Sequence, residues 1–344
     1  MTASSPAPSK AADPADHHRK ADEIALPEVK MHLYRPNEPV TVKVVRNEIC
    51  TRKKAASFVR HIEFDVAGTL LEGQVLPGQS IGVLAPGHDE KGRAHAVRLY
   101  SVASPTGGED GAGKIISTTV KRSIDEHWET NRLFLGVCSN FLCDLRAGDE
   151  VRLSGPNGKK FLLPADPAAH DYVFFATGTG IAPFRGMVQD LLRRAPRSRV
   201  TLVMGSPFAT DLLYDEQFRA WSKQHANFQY ITAISREKQE DGPVNSAGDR
   251  ADYYGPMYVQ DRIRSHRDTL GALLCSARTL VYVCGIAGME LGILKELART
   301  LPRPAWEQYL AADDEALKNI DAWDRKMLHR QIKVSKRVFL EVYA

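Results

Sequence analysis

The chain has 344 residues, 43% hydrophobic and 26% charged, with 46 Lys and Arg against 42 Asp and Glu for a net charge of +4. That length suggests two domains, and the composition excludes collagen-like, coiled-coil, wholly disordered and membrane-embedded chains. The longest apolar run, around Leu280–Cys284, is far short of the ~20 residues of a spanning helix, and so small a positive excess gives no argument for nucleic acid. Five cysteines make no disulfide framework; an odd count fits free thiols in a reducing, cytoplasmic compartment.

Residues 1–31 are rich in Ala, Pro, Ser, Asp and Lys without apolar periodicity, which predicts a disordered tail. The tail lacks the apolar centre of a secretory signal, and Asp13, Asp16, Asp22, Glu23 and Glu28 are foreign to a transit peptide. Residues 32–167 form the first predicted domain. Alternation over Val40–Val45, Phe58–Val66, Ser80–Leu84, Arg98–Val102, Ile115–Lys121 and Glu150–Leu153 predicts half-buried antiparallel strands. Turn pairs such as Pro77-Gly78, Gly107-Gly108 and Ala147-Gly148 separate them. Many short strands with regular turns predict a closed barrel or sandwich.

The period changes in the second domain, residues 168–344. Strands are predicted at Tyr172–Phe175, Val200–Met204, Gln229–Ile234 and Leu280–Cys284. Helices are predicted at about Ala182–Arg194 and Leu213–Gln224, from near Met257, and near Met289–Thr300. Strand–helix alternation specifies a doubly wound parallel sheet, whose ligands sit at the carboxyl ends of the strands.

Three motifs suit chemistry at such sites. Thr177-Gly178-Thr179-Gly180-Ile181-Ala182-Pro183 follows a buried strand and opens a helix; its glycines let backbone approach a pyrophosphate, and the helix start offers unpaired N–H groups. A tight strand–helix turn without a ligand is the bland alternative. Arg98-Leu99-Tyr100-Ser101 lies on a barrel strand, where Arg98 suits a phosphate and Tyr100 a flat ring; alone, it would pass for an ordinary edge strand. Gly136-Val137-Cys138-Ser139-Asn140-Phe141-Leu142 offers a turn, an N-cap at Ser139 and a second helix start. Cys138 and Cys143 open the spacing of a plant-type iron–sulfur motif, but Arg146 stands where the next cysteine is needed. The histidines fit no metal spacing.

These motifs occur in order with Lys121-Arg122, Leu212-Leu213-Tyr214, Ser235-Arg236-Glu237, Met257–Gln260, Cys284–Gly292 and the ending Leu340-Glu341-Val342-Tyr343. Together they resemble plant-type ferredoxin–NADP+ reductases from Pro39 to Tyr343. The resemblance implies FAD in the barrel: Tyr100 against the isoalloxazine, Arg98 and the Gly136–Ser139 helix start on the pyrophosphate, and Ser101 at flavin N5. Leu99, Thr119, Val120, Val137 and Cys138 would belong to the same site. It implies NADP(H) in the second domain: Thr177, Ser206, Pro207, Gly285 and Ile286 along the nucleotide, Ser235 and Arg236 on the 2′-phosphate, Tyr258 on adenine with Gln260 nearby, and Lys121 on the pyrophosphate. Cys284 and Glu341 would flank the nicotinamide, and Tyr343 would cover the flavin. Ser235-Arg236 fits this independently, because a carboxylate after the third strand would instead favour NAD. Cys284 and the basic pairs taken alone would pass for core and solvated surface.

The chain departs from the family pattern in three places. The aromatic expected shortly after Lys121 against the FAD adenine is missing in register, where Asp125 stands with Trp128 as the substitute offered; the segment Leu301–Arg337 is longer and differently charged; and Ala344 follows the terminal tyrosine. The resemblance implies electron exchange with a separate, acidic ferredoxin or flavodoxin, approached over a basic face of Lys53, Lys54, Lys121, Arg122 and Arg146. A reductase serving a separate oxygenase or epoxidase is the first alternative. A non-catalytic sensor of NADP(H) or FAD is the second, and it would have no use for Ser101, Cys284 and Glu341 together.

Overall fold

In a computed structural model of the protein, residues 24–127, 129–237 and 257–343 are described. The first domain is a six-stranded antiparallel sheet in the order β4-β3-β8-β1-β2-β5. Its strands are β1 (Val40–Ile49), β2 (Val59–Asp65), β3 (Ser80–Leu84), β4 (Arg98–Ser101), β5 (Ile115–Lys121) and β8 (Glu150–Asn157). A bridge between Val102 and Thr118 joins the two edge strands, so the sheet closes into a barrel. Alternation along each strand turns Val42, Val44, Ile62, Phe64, Ile81, Val83, Val151 and Leu153 inward to a single apolar core.

Between β5 and helix α1 (Val137–Asp144) the chain forms a hairpin, β6 (Ile124–His127) with β7 (Arg132–Leu135), that the alternation pattern does not predict. All eight of these strand residues are exposed. A ribbon that buries neither face leaves no period-two burial signature. Helix α1 starts at Val137 with Gly136 as its cap, not at Ser139 as expected. The Ser139 hydroxyl instead donates to the Gly136 carbonyl (3.1 Å) and accepts from the Ser123 amide (3.1 Å). It thus ties the helix start to the base of the hairpin.

The second domain is a five-stranded sheet, β11-β10-β9-β12-β15, parallel at every pairing. Its strands are β9 (Asp171–Thr177), β10 (Val200–Ser206), β11 (Phe228–Ile234), β12 (Thr279–Ile286) and β15 (Val338–Tyr343). Apolar side chains on both faces of β9 and β12 are fully buried, as a sheet covered on both sides requires. Helices α2 (Ile181–Arg194), α3 (Asp215–Gln224), α4 (Asp261–Ser265) and α5 (Met289–Thr300) cover it. Two predicted helix starts lie further along. Tyr214 adopts a left-handed φ of 55°, which delays α3 from Leu213 to Asp215. The turn at Tyr258 donates its amide to the Asp261 carboxylate (2.8 Å), so α4 begins at Asp261 rather than near Met257. The 301–337 segment folds as two short helices (Arg303–Trp306 and Asp314–Lys318) and a two-stranded ribbon, β13 (Leu310–Ala312) with β14 (Ile332–Val334). It adds Trp306, Tyr309, Leu310, Trp323 and Ile332 to the core beside β12 and α5.

The tail expected through residue 31 is held against the body from residue 24. Ile24 packs on the second domain's core, and the Ala165 amide donates to the Ala25 carbonyl (2.9 Å).

The two domains meet through α2. Arg185 on this helix is buried and pairs with Glu109 of the barrel through two hydrogen bonds (2.5 and 3.1 Å). It also donates to the Ala103 carbonyl and to Gln217, and lies over the Tyr214 ring at 5.2 Å. The Tyr214 hydroxyl reaches back to Thr119 (2.6 Å) and His61 (2.9 Å) in the barrel. One turn along α2, Asp190 accepts the Thr106 amide and hydroxyl. His61, Glu63 and Glu109 bring possible ligand atoms within 4.8 Å of one another, and the Arg185 guanidinium supplies the positive charge there. Removing one partner of a buried ion pair costs about 3–5 kcal/mol, because the other charge stays buried alone. Arg185→Met is expected to lose about that much stability, read as a lowered denaturant midpoint. A midpoint equal to the parent's would contradict the role of this pair.

Candidate functional site

A cleft of about 810 Å³ opens between the barrel and the carboxyl edge of the parallel sheet. On the barrel side it is lined by Arg98, Leu99, Tyr100 and Ser101 of β4, Thr119 and Lys121 of β5, and Gly136, Val137, Cys138 and Ser139 at the start of α1. Alternation on β5 sends Thr119 and Lys121 to the cleft but Val120, with no exposed surface, into the barrel core. The side chain of Val120 is therefore no part of the cleft, contrary to expectation.

The chemistry of this wall suits a flat heteroaromatic molecule with a pyrophosphate. The first amides of α1 have no intrahelical acceptor and carry the positive end of the helix dipole. The Arg98 guanidinium and Lys121 ammonium add charge beside them. A Cβ at Gly136 would stand 2.8 Å from both Ser123 Cβ and Ser139 Oγ, so only glycine lets the hairpin base and helix start lie this close. Tyr100 brings a ring whose hydroxyl, with its pKa raised by burial, stays neutral. The residues present thus fit FAD.

On the opposite wall, the β9–α2 turn and the end of β12 touch. A Cβ at Gly180 would lie 2.2 Å from the Cys284 carbonyl, and one at Gly285 would lie 2.1 Å from the Thr177 hydroxyl. That hydroxyl accepts from the Ile286 amide at 3.0 Å. Parallel pairing then sets Glu341 beside Cys284 and Tyr343 beside Ile286. Burial raises the Glu341 carboxyl to about 7. Burial, then the neighbouring Glu341, pushes the Cys284 thiol well above its usual range, so it stays protonated. The Tyr343 hydroxyl is pushed up to about 12, mainly by burial. It shares a hydrogen bond with Thr179 Oγ1 (2.8 Å) and lies 3.4 Å from the Thr177 carbonyl. Glu341 and Tyr343 line the same cleft as β4.

The other expected nucleotide residues lie along the carboxyl edge of the sheet, outside the cleft. Ser235 and Arg236 follow β11, and their amides donate to the carbonyls of Ser206 and Pro207 at 3.0 Å each. The Arg236 guanidinium lies over the Phe208 ring, and Glu237 accepts the Ala209 amide. Tyr258, 63% exposed, stands just before α4 with no ring or cation packed on it among the described residues, while Gln260 packs on Gly292 of α5. Thr177, Gly285 and Ile286 complete this row at the point where the strand order reverses.

The residues of the expected basic face do not all line one hollow. Lys121 lies in the cleft. Arg122 and Arg146 line a separate groove with Arg46, Arg60, Phe58 and Ile124. Lys53 and Lys54 follow Arg52, which is bonded across to Asp215. Trp128 and Ala344 lie outside the described residues. The cleft also takes in Phe134, His95, Ser80 and Thr179, which the motifs did not single out. Only Thr179, inside the glycine turn, carried a signal; the others reach the cleft through strand pairing and loop paths.

Residues 174–295 match a family model described as an oxidoreductase NAD-binding domain. The chain is 37% identical over 275 residues to a ferredoxin–NADP reductase of Spirulina, covering 78% of this chain and 89% of that one. It is 38% identical over 271 residues to the rice chloroplast leaf isozyme 1 of ferredoxin–NADP reductase, covering 77% and 70%. Among solved structures it is similar in fold to ferredoxin–NADP+ reductase from Plasmodium falciparum, with a TM-score of 0.64, 23% identity, and coverage of 91% and 99%.

Because Glu341 binds its proton more tightly in the folded chain, its contribution favours folding at low pH and is lost as pH rises from about 4.5 to about 7. A carboxyl NMR titration of the flavin-free protein is expected to show one glutamate with a midpoint near pH 7, absent from Glu341→Gln. A full set of glutamates titrating near 4.5 would contradict the burial argument.

Proposed function

The chain belongs to the ferredoxin–NADP reductase family, and on that premise we propose that it is an FAD-dependent reductase exchanging electrons between NADP(H) and a one-electron carrier such as a ferredoxin or flavodoxin. The observation that carries this reading is the meeting of two walls in one cleft. β15 sets Glu341 next to Cys284 and Tyr343 next to Ile286, and the same cleft holds Arg98–Ser101 of β4. Bound FAD supplies the conversion between two-electron hydride exchange and single-electron exchange.

The chain's own residues supply binding, orientation and a proton site. Arg98, Lys121 and the start of α1 hold anionic oxygens, and Tyr100 and Tyr343 offer rings to the flavin and to whatever stacks on it. Ser101 offers a hydroxyl at the hydride-accepting edge. The Glu341 carboxyl, titrating at about 7, both holds and releases a proton near neutral pH. Cys284, kept as a neutral thiol, gives the nicotinamide a compact uncharged neighbour. Tyr343, held by hydrogen bonds at Thr179 and Thr177, would have to give them up for a nicotinamide to reach the flavin it covers. Ser235 and Arg236 would hold the 2′-phosphate, and Tyr258 would offer its ring to the adenine.

The carrier is an acidic protein. Arg46, Arg60, Arg122 and Arg146 ring a groove floored by Val45, Phe58 and Ile124, where Glu48 and Asp144 offset part of the charge. Among the described residues no helix is long and apolar enough to cross a membrane. The free thiols of Cys50, Cys138, Cys143, Cys275 and Cys284 fit a reducing, cytoplasmic compartment. Purified protein is expected to carry FAD, to reduce ferricyanide with NADPH, and to pass electrons to cytochrome c only when a ferredoxin or flavodoxin is added. A colourless preparation without this activity would remove the reading.

Charge-assisted hydrogen bonds contribute about 1.5–3 kcal/mol, so Arg236→Ala is expected to lower kcat/KM for NADPH roughly tenfold to a hundredfold and leave NADH nearly unchanged. Equal losses for both nucleotides would remove Arg236 from the 2′-phosphate. Tyr343→Ser is expected to raise NADH activity and to shift the visible flavin spectrum as nicotinamide takes the place of the phenol. An unchanged spectrum with an unchanged NADPH/NADH ratio would put Tyr343 outside the flavin stack.

A further inference from the structure

The β6–β7 hairpin buries neither face, yet it is held firmly at its base. Gly136 donates its amide to the Ser123 carbonyl (3.0 Å), which also accepts from the Asn140 side chain (2.9 Å). The base of the hairpin and the anion-binding start of α1 are therefore one rigid unit. The register of the two strands pairs Asp125 with Phe134 and Ile124 with Leu135. Residues directly opposite in an antiparallel pair project from the same face. Asp125 and Phe134 thus share one face, while Leu133 and Leu135 belong to the other.

Exposure does not separate these side chains, since Phe134 is 64% exposed and Leu133 69%. Position does. Phe134 lines the cleft beside Lys121, Ser123 and Gly136, and Leu133 and Leu135 do not. Among the described residues no other ring packs on Phe134. It is an aromatic side chain with an open face, set in the cleft wall at a cost in exposed apolar surface. Its Cα is two strand positions, or about 7 Å, from the glycine that opens the anion site. That separation is roughly the span of a ribose.

We propose that Phe134 is the platform on which the adenine of the dinucleotide stacks, so that the hairpin supplies the affinity for FAD over FMN. The inference rests on the reading of the cleft as a flavin site. With its pyrophosphate at the start of α1, the dinucleotide would run its adenosine along the hairpin, where Phe134 is the cleft-lining aromatic among the described residues. Because the ring stands on β7, its place is set by cross-strand pairing with Asp125, whose own position carries no aromatic.

The test uses the full chain stripped of flavin and titrated with FAD and with FMN, following flavin fluorescence. The variants are Phe134→Ala, Phe134→Tyr and, as an equally exposed neighbour on the other face, Leu133→Ala. Loss of a base–aromatic stack is expected to weaken FAD binding about tenfold or more in Phe134→Ala. Phe134→Tyr and Leu133→Ala should hold FAD as the parent does, and FMN, which ends before the adenosine, should bind all four proteins alike. FAD affinity in Phe134→Ala within twofold of the parent overturns the inference alone, as does an equal loss in Leu133→Ala or an equal loss for FMN. A parent protein that takes up no flavin overturns the flavin-site reading together with it.

Discussion

The buried pairing of Arg185 with Glu109 is the constraint on which the cleft depends. Neither domain contains the site; each supplies one wall, and the spacing between walls follows from how α2 seats on the barrel. Two features of the helix act together there. Gly186 lets the Ser104 carbonyl come so close that a Cβ would stand 2.3 Å from it, and Arg185, one residue earlier, satisfies the largely covered Glu109 carboxylate of the barrel. A charge pair in that position contributes little net stability over an apolar contact, but it strongly penalises any arrangement that separates the partners. It therefore fixes orientation more than it adds stability. Since α2 opens with the glycine turn of the nucleotide site, the same helix that locks the domains also places Thr177 and Thr179.

Within the parallel sheet the site is made by close backbone approach. β9 and β12 are neighbours, and their carboxyl ends diverge into a turn and a helix only because Gly180 and Gly285 carry no side chain at the crossing. β15 adds to the far side of β12 and so carries the chain's end into the cleft. The chemistry that results is mostly uncharged at neutral pH. Burial keeps Cys284 and Tyr343 protonated and brings Glu341 to the middle of its titration. A low-polarity centre flanked by cations at Arg98 and Lys121 suits a molecule with a flat uncharged ring and an anionic tail.

Legibility in the sequence followed burial. β3, β5 and α5 occur where their patterns place them: α5 buries one face at the helical period, and β3 and β5 are buried along nearly their whole length. The β6–β7 hairpin buries nothing and left no pattern, although it forms part of the cleft wall. Ser139 illustrates a local ambiguity. A serine near a helix start is equally suited to capping the helix and to bonding a neighbouring segment, and only the nearby Ser123 amide at the base of the hairpin decided for the second. Val120 stands between two cleft residues in the chain but projects to the opposite side of its strand, so adjacency in a motif did not equal adjacency in space.

By itself the amino-acid sequence determined the order of a β domain before an α/β domain, the glycine turns, and the residue types available to the cleft. All of these are local, because alternation, helix starts and turn chemistry depend on neighbours a few positions apart. Only the tertiary structure decided which of those residues share a cleft. Arg98 and Glu341 come together through barrel closure, the seating of α2 and the addition of β15 beside β12. It also decided that Phe134 shares a face with Asp125, since strand register depends on backbone pairing between segments and not on the side chains of either one alone.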